Sequence, residues 1–141
     1  TLAGNAYDDL ADRLGPQVSI APMITGGVEM SLGVLGDAQF GPMLMLGAGG
    51  TLIEILKDRR LSLLPLDNTR ARELINTLKT RPMLDEFRGR APVNVAAFAT
   101  AATNLGALAQ SLGDYIAELD INPLMVTDSG AFALDALLVR R

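Results

Sequence analysis

The sequence predicts an α+β fold in which helices pack on one face of a mostly antiparallel sheet. Short apolar runs bounded by turn residues indicate strands, and other stretches repeat apolar residues at helical spacing. The turns between successive strands are only a few residues long, which suits antiparallel hairpins and is too short for parallel crossovers. Apolar residues make up 49% of the 141 residues, so the chain can bury a real core as one domain or as part of one.

The first third of the chain is predicted to hold one helix and a meander of three strands. Residues 3–14 form the helix, because apolar residues recur there every four positions and a Gly-Pro pair follows. Strands at 18–24 and 28–35 are predicted to flank a tight Gly-Gly turn. A turn at 37–42 then leads to the third strand at 43–46.

A glycine-rich loop, residues 47–50, leaves the third strand and enters an apolar segment at 51–56. Its bare amides can approach a phosphate or an acyl group, or its glycines can serve a turn that needs positive φ. The loop is not a Walker A motif, because no Gly-Lys-Ser/Thr follows it. A charged turn is predicted at 57–60.

The remainder of the chain is predicted to alternate strands with two helices. Asp67 and Asn68 precede a helix at 69–78, and a long uncharged helix at 93–112 ends at Gly113. Polar residues interrupt the long stretch, which favours a buried amphipathic helix over a membrane span. The other predicted elements are a loop at 83–92 and strands at 61–64, 115–119, 124–126 and 132–139.

Composition excludes several classes of function. There are 12 basic and 16 acidic residues without a basic stripe, which argues against a nucleic-acid surface. The absence of Cys and His excludes disulfides, thiolate catalysis, Ser-His-Asp catalysis and a phosphohistidine in these residues. The first residues show no basic stretch followed by an apolar run, so the sequence does not indicate a signal peptide. We therefore expect a cytoplasmic protein without a membrane partner.

Asn122 and Asp135 are candidate ligands of a divalent cation. A short turn at 128–130 separates the segments that carry them, and a hairpin would bring both residues to the same end. One carboxylate and one amide carbonyl form half of an oxygen cage for Mg²⁺, with phosphates and water supplying the rest. The same residues would also suit a turn with an Asx cap.

Five motifs that occur in a fixed order carry a more specific signal. They are 26–34 (GGVEMSLGV), 37–42 (DAQFGP), 46–50 (LGAGG), 87–89 (FRG) and 118–124 (ELDINPL). Together they resemble the nucleotide-binding part of the NDP-forming acyl-CoA synthetases, relatives of the succinyl-CoA synthetase β subunit, over residues 3 to 141. The resemblance implies an ATP-grasp domain that uses ATP or ADP with Mg²⁺.

The resemblance also implies roles for individual residues. Asn122 and Asp135 match the Mg²⁺ ligands, and Glu29 matches a carboxylate close to the nucleotide phosphates. Asp120 stands where relatives carry a glutamate that contacts the phosphohistidine. Ala21 stands where relatives usually have Gln or Glu, so only the backbone groups of Ala21 and Met23 are left to contact adenine.

We expect the chain to be a single domain, residues 1–141, that forms the C-terminal lobe of an ATP-grasp fold. The earlier lobe, with its phosphate-binding lysine, has no counterpart in these residues. The resemblance implies as partners the earlier lobe, the nucleotide, and CoA-binding and ligase domains that carry the phosphohistidine. A homodimer is expected on a different ground, because a lobe without its neighbours exposes apolar surface. Arg88 is expected to anchor its loop through a salt bridge.

Two functions from different classes remain open at this point. In the first, the chain is the nucleotide-binding part of an acyl-CoA synthetase that interconverts acyl-CoA, ADP and phosphate with a carboxylate, CoA and ATP. In the second, it is a non-catalytic or regulatory module of a larger protein, such as a protein acetyltransferase. The sequence that flanks these residues would distinguish the two.

Overall fold

The computed structural model describes residues 1–50 and 56–141. Within these residues the chain forms a six-stranded sheet, three α-helices and two short 3₁₀ helices at Arg81–Leu84 and Gly113–Tyr115. The α-helices are α1 (Leu2–Leu14), α2 (Asn68–Asn76) and α3 (Val95–Leu112). The strands are β1 (Val28–Asp37), β2 (Gly41–Ala48), β3 (Arg59–Leu63), β4 (Ile116–Val126), β5 (Ala131–Ala133) and β6 (Ala136–Arg140).

The sheet is antiparallel throughout its described pairs. The strand order is β3-β2-β1-β4-β5, and β6 also pairs with β4. Strand β4 is eleven residues long, so its first half pairs with β6 and its last three residues pair with β5. This arrangement confirms the predicted α+β fold with a mostly antiparallel sheet.

The core lies between one face of the sheet and helices α2 and α3. Alternate residues of β1 and β2 point into it, and small residues of α3 allow the helix to approach the sheet closely. Each helix begins at a polar side chain that accepts a backbone N–H: Asp67 for α2 and Asn94 for α3. The fully buried residues include Met30, Leu32, Leu44, Leu46, Ile75, Phe98, Ala99 and Ala102.

The predicted strand at 18–24 is wrong. Residues 16–25 form no regular element, and Ile20 and Met23 are 88% and 87% exposed. The reason is that β1, the expected partner, already pairs with β2 along one edge and with β4 along the other. No edge of β1 is left for a preceding strand. Helix α1 is confirmed, but none of its residues is buried.

Several strand boundaries also differ from the prediction. Strands β1 and β2 extend into the predicted turn at 37–42. Strand β3 begins at Arg59, so part of the predicted charged turn is strand. The predicted strands at 115–119 and 124–126 are one continuous strand, and the predicted strand at 132–139 is divided into β5 and β6. The predicted apolar segment at 51–56 lies almost wholly outside the described residues. Among the helices that are described, none has the length and apolar character needed to cross a bilayer.

Asp58 is a charged group with a buried side chain, at the start of β3. Its Oδ2 accepts hydrogen bonds from the backbone N–H and the hydroxyl of Thr80, both at 2.7 Å, and Arg60 lies 3.4 Å from Oδ1. Burial alone would raise the pKa of Asp58, but hydrogen bonds from Lys79 and Thr80, together with Arg60, hold it below the usual aspartate value. Asp58 therefore ties the entry of β3 to the segment that follows α2.

Replacing Asp58 should cost more stability than replacing an exposed aspartate. We expect Asp58→Ala to lower the free energy of unfolding by about 3 kcal/mol at pH 7, because it leaves buried donors without an acceptor. The folded-state pKa is depressed, so this stabilisation is complete above about pH 4 and is lost as the pH falls through the folded-state pKa. Urea unfolding at several pH values measures both effects.

Asp9→Ala is the control for this prediction. Asp9 also pairs with an arginine, Arg13, but both side chains are more than 60% exposed. Its replacement should change stability by no more than about 0.5 kcal/mol. Equal losses in the two variants would contradict the role assigned to Asp58.

Candidate functional site

Glu29 lies on the face of the sheet that is turned away from the helices. It precedes Met30, which is fully buried, and side chains alternate between the two faces of a strand. Its backbone carbonyl accepts the N–H of Gly49 at 2.9 Å. Its carboxylate lies against Gly50, where an added Cβ would collide with Oε2. Glu29 is therefore held beside the glycine-rich loop.

Asn122 reaches the same loop from β4. Its Oδ1 accepts the backbone N–H of Gly50 at 3.2 Å. Residues 50 and 122 are far apart in the sequence, and the sheet brings them together because β2 and β4 lie on either side of β1. Glu29 and Asn122 thus meet at one glycine, and we call Glu29, Gly50 and Asn122 the loop cluster.

Asp135 lies opposite Asn122 in the hairpin formed by β4, β5 and β6. Leu124 pairs with Ala133 and Ile121 with Ala136, so residues 122–123 face residues 134–135. The carbonyl of Pro123 accepts the N–H of Leu134 at 3.0 Å. The predicted hairpin, which brings Asn122 and Asp135 to one level, is therefore confirmed. Asp135 is exposed, and among the described residues its Oδ1 accepts a hydrogen bond only from the N–H of Ala136, at 2.8 Å.

Asp120 lies on β4, two residues before Asn122. Its neighbours Leu119 and Ile121 pack against the core, so alternation directs Asp120 to the same face as Glu29. It pairs with Gly33, and a Cβ there would lie 3.5 Å from Asp120 Oδ1. Burial raises the pKa of Asp120, and the negative charge of Glu118 raises it further. Asp120 is a half-buried carboxylate that protonates more readily than an ordinary aspartate.

A pocket of about 400 Å³ opens beside Glu29. One wall is the turn at 87–90, where Phe87 and Arg90 exchange backbone hydrogen bonds of 3.0 and 3.1 Å. Sequence reasoning placed this turn in a loop and did not connect it to Glu29, since nothing local indicates that contact. Besides Glu29 the pocket is lined by Gly26, Gly27, Val28, Gly49, Met83, Phe87, Arg90 and Met125.

Arg88 does not have the role that was expected for it. Arg88 adopts φ +49° and its guanidinium lies 5.4 Å from the centre of the Phe87 ring. Within the described residues it makes no ion pair, so the expected salt bridge is not found. Arg90 anchors the turn instead, by donating to the carbonyls of Met83 and Ala91.

Ala21 and Met23 are not part of the loop cluster. Both lie in the exposed segment that precedes Gly26, and their expected contacts with adenine stay a prediction. The segment that carries them leads into Gly26 and Gly27, which line the pocket beside Glu29.

The available donors suit a hard cation that also takes ligands from outside the protein. Within residues 1–50 and 56–141, no three acidic, His or Cys side chains are close enough to hold a metal by themselves. The Asn122 amide oxygen has a second lone pair, and Asp135 has a carboxylate oxygen free of described hydrogen bonds. Two oxygen donors complemented by phosphate and water is a typical arrangement for Mg²⁺.

Comparison with known proteins gives a consistent result. Residues 3–139 match the family described as ATP-grasp domain. The chain is 39% identical, over 99% of its length, to the β subunit of ADP-forming acetate–CoA ligase I from Pyrococcus furiosus, of which it covers 60%. It is 38% identical, over 86% of its length, to the β subunit of ligase II from the same organism, of which it covers 52%.

Solved structures agree with these relatives. A dinucleotide-forming acetyl-coenzyme A synthetase 1 from Ca. Korarchaeum cryptofilum, in complex with coenzyme A and Mg-AMPPCP, matches with a TM-score of 0.80 and 34% identity. The match covers 84% of this chain and 55% of that one. The chain thus spans only about half to three fifths of the length of these three proteins.

The environment of Asp120 leads to a prediction about protonation. In a ¹³C NMR titration the Asp120 carboxyl should show a pKa above the usual aspartate value. Glu118→Gln should lower this pKa without fully restoring the usual value, because burial is the larger cause. Glu118→Asp keeps the charge and is the control. A pKa for Asp120 below the usual range would contradict the prediction.

The raised pKa of Asp120 determines in which direction stability changes with pH. The folded state holds this proton more tightly than the unfolded state, so the contribution of Asp120 to stability falls as the pH rises through its folded-state pKa. Asp120→Asn should therefore raise the free energy of unfolding at pH 7. The gain should vanish below about pH 3, where both states are protonated.

Proposed function

Because this chain belongs to the ATP-grasp domain family, we propose that it is the nucleotide- and Mg²⁺-binding part of an ADP-forming acyl-CoA synthetase. The reaction is the reversible conversion of acyl-CoA, ADP and phosphate into a carboxylate, CoA and ATP. The observation that carries this proposal is the convergence of Glu29 and Asn122 on Gly50, with Asp135 across the hairpin.

Asn122 and Asp135 hold Mg²⁺ in this proposal. Asn122 lies on β4, and Asp135 lies opposite it in the two-residue break between β5 and β6, so strand pairing on both sides holds the two oxygen donors at one level of the hairpin. When bound, Mg²⁺ would neutralise negative charge on the nucleotide phosphates. Glu29 lies close to the nucleotide phosphates, and backbone groups of Ala21 and Met23 contact adenine.

Asp120 acts on the phosphohistidine that carries the phosphoryl group. The sequence of this chain contains no histidine, so that residue belongs to another domain. A carboxylate that accepts the imidazole N–H orients the ring and stabilises its positive charge. The raised pKa of Asp120 supports this role, because a half-buried carboxylate gains most when a positively charged partner approaches.

We propose that other protein covers the apolar surface that is exposed around helix α1. Helix α1 buries none of its residues, and Leu2, Leu14 and Ile20 are largely exposed. Apolar surface of this kind supports contact with other protein. We propose that its partners are the earlier ATP-grasp lobe, CoA-binding and ligase domains in the same or a separate chain, and a second copy, in a cytoplasmic enzyme.

The proposed metal role of Asp135 can be tested in the complete protein. Asp135→Ala should reduce Mg²⁺-dependent ATP formation from acyl-CoA, ADP and phosphate at least 100-fold, because it removes a charged metal ligand. Asp135 is exposed, so the unfolding free energy should change by less than about 1 kcal/mol. Coupled measurement of ATP formation tests the first statement and urea unfolding the second.

Asp114→Ala provides a matched control. Asp114 is also an exposed aspartate near a strand, but it lies at the far end of β4 and pairs with Arg141. Its replacement should leave turnover within about 2-fold. Normal activity of Asp135→Ala at ordinary Mg²⁺ concentrations would refute the metal role. No ATP formation by the unaltered protein would refute the proposed activity itself and favour a regulatory module.

A further inference from the structure

Gly49 and Gly50 follow β2 and lie directly against β1. Gly49 donates its N–H to the carbonyl of Glu29 at 2.9 Å, and a Cβ on Gly49 would collide with the backbone of Met30. The loop therefore rests on the strand that carries Glu29, with no space for a side chain between them. This close approach fixes where Gly50 can lie.

Gly50 makes two further contacts, each with a proposed site residue. Its N–H donates to Oδ1 of Asn122 at 3.2 Å. Its Cα lies against the carboxylate of Glu29, where an added Cβ would overlap Oε2. Gly50 also adopts φ +62°, a conformation that disfavours any residue with a side chain.

We propose that Gly50 is a positioning residue that sets the Asn122 amide and the Glu29 carboxylate relative to each other for Mg-nucleotide binding. This inference rests on the proposed function. The hydrogen bond fixes the orientation of the Asn122 amide and uses one lone pair of Oδ1, which leaves the second for a cation. Hydrogen bonds to a metal-ligating side chain orient that side chain, and their loss commonly lowers metal affinity 10- to 100-fold.

The missing side chain of Gly50 is as important as its N–H. Adding a methyl group at this position forces the Glu29 carboxylate to move or forces the loop away from β1. If the loop moves, the N–H of Gly50 leaves Asn122. Either response separates groups that the sheet otherwise holds together, so binding of Mg-ADP weakens in both cases.

A simpler explanation of Gly50 is that only its positive φ requires glycine. Gly41 separates the two explanations. It has φ +73°, close to that of Gly50, yet a Cβ there would meet no atom within 4 Å. Gly41 lies at the turn between β1 and β2, at the opposite end of β1 from Glu29. Gly41→Ala therefore carries a similar backbone cost without a collision.

The test compares Gly50→Ala with Gly41→Ala in the complete protein. Calorimetric titration with ADP at a series of Mg²⁺ concentrations gives the ADP affinity and the Mg²⁺ concentration for half-maximal binding. We expect Gly50→Ala to weaken Mg-dependent ADP binding at least 10-fold and to raise the Mg²⁺ requirement. Gly41→Ala should stay within about 2-fold of the unaltered protein.

A stability cycle tests the contact without any ligand. The loss of stability caused by Gly50→Ala should be smaller in a Glu29→Ala background, because the collision with the carboxylate is then absent. The loss caused by Gly41→Ala should be the same in both backgrounds. For each glycine, urea unfolding of the unaltered protein, the glycine variant, Glu29→Ala and the double variant gives these differences.

The outcomes separate the inference from the function on which it rests. If the unaltered protein binds ADP without any dependence on Mg²⁺, the proposed function fails. If it binds Mg-ADP and Gly50→Ala binds equally well, the positioning role is overturned even when the stability cycle shows coupling. Equal weakening in Gly41→Ala and Gly50→Ala also overturns it, because loss of general stability then accounts for both.

Discussion

Strand β1 is the element on which the rest of the structure depends. It pairs with β2 along one edge and with β4 along the other, and its inner side chains Met30, Leu32 and Val34 are almost completely buried. The alternation of a strand then directs Glu29 to the opposite face. The same packing that stabilises the fold therefore holds the carboxylate of Glu29, a residue of the proposed site, on a well-packed strand, as a site with fixed geometry requires.

A β-bulge between β1 and β4 determines how Asn122 reaches the loop. Met30 pairs with Leu124 and Leu32 with Ile121, so Ser31 alone lies opposite Asn122 and Pro123. The extra residue lets Ile121 and Leu124 both pack against the core while Asn122 reaches Gly50. Ser31 is buried, and its hydroxyl donates to the carbonyl of Ala48 at 2.9 Å, which connects the bulge to β2 as well.

Local signals in the sequence were sufficient for the helices and for the hairpin that carries Asn122 and Asp135. The cap at Asp67 and the short turns act over a few residues, so a pattern can detect them. The cap at Asn94 was not predicted, because the helix was expected to begin at residue 93. The strand predicted at 18–24 was wrong because strand formation depends on a free edge, which is a property of the sheet. The contact between Gly50 and Asn122 was likewise out of reach, because it joins residues that only the sheet order brings together.

The charges around the proposed site would make the binding of Mg²⁺ and of nucleotide interdependent. Glu29, Glu118, Asp120 and Asp135 are all acidic, while Arg90, the arginine that lines the pocket, already donates to two backbone carbonyls. A nucleotide phosphate near these carboxylates is repelled unless a cation lies between them. If the proposed function is correct, each ligand must therefore raise the affinity of the other by the same factor. The glycine loop adds to this coupling, because Gly50 contacts both a proposed metal ligand and the carboxylate proposed to lie near the phosphates.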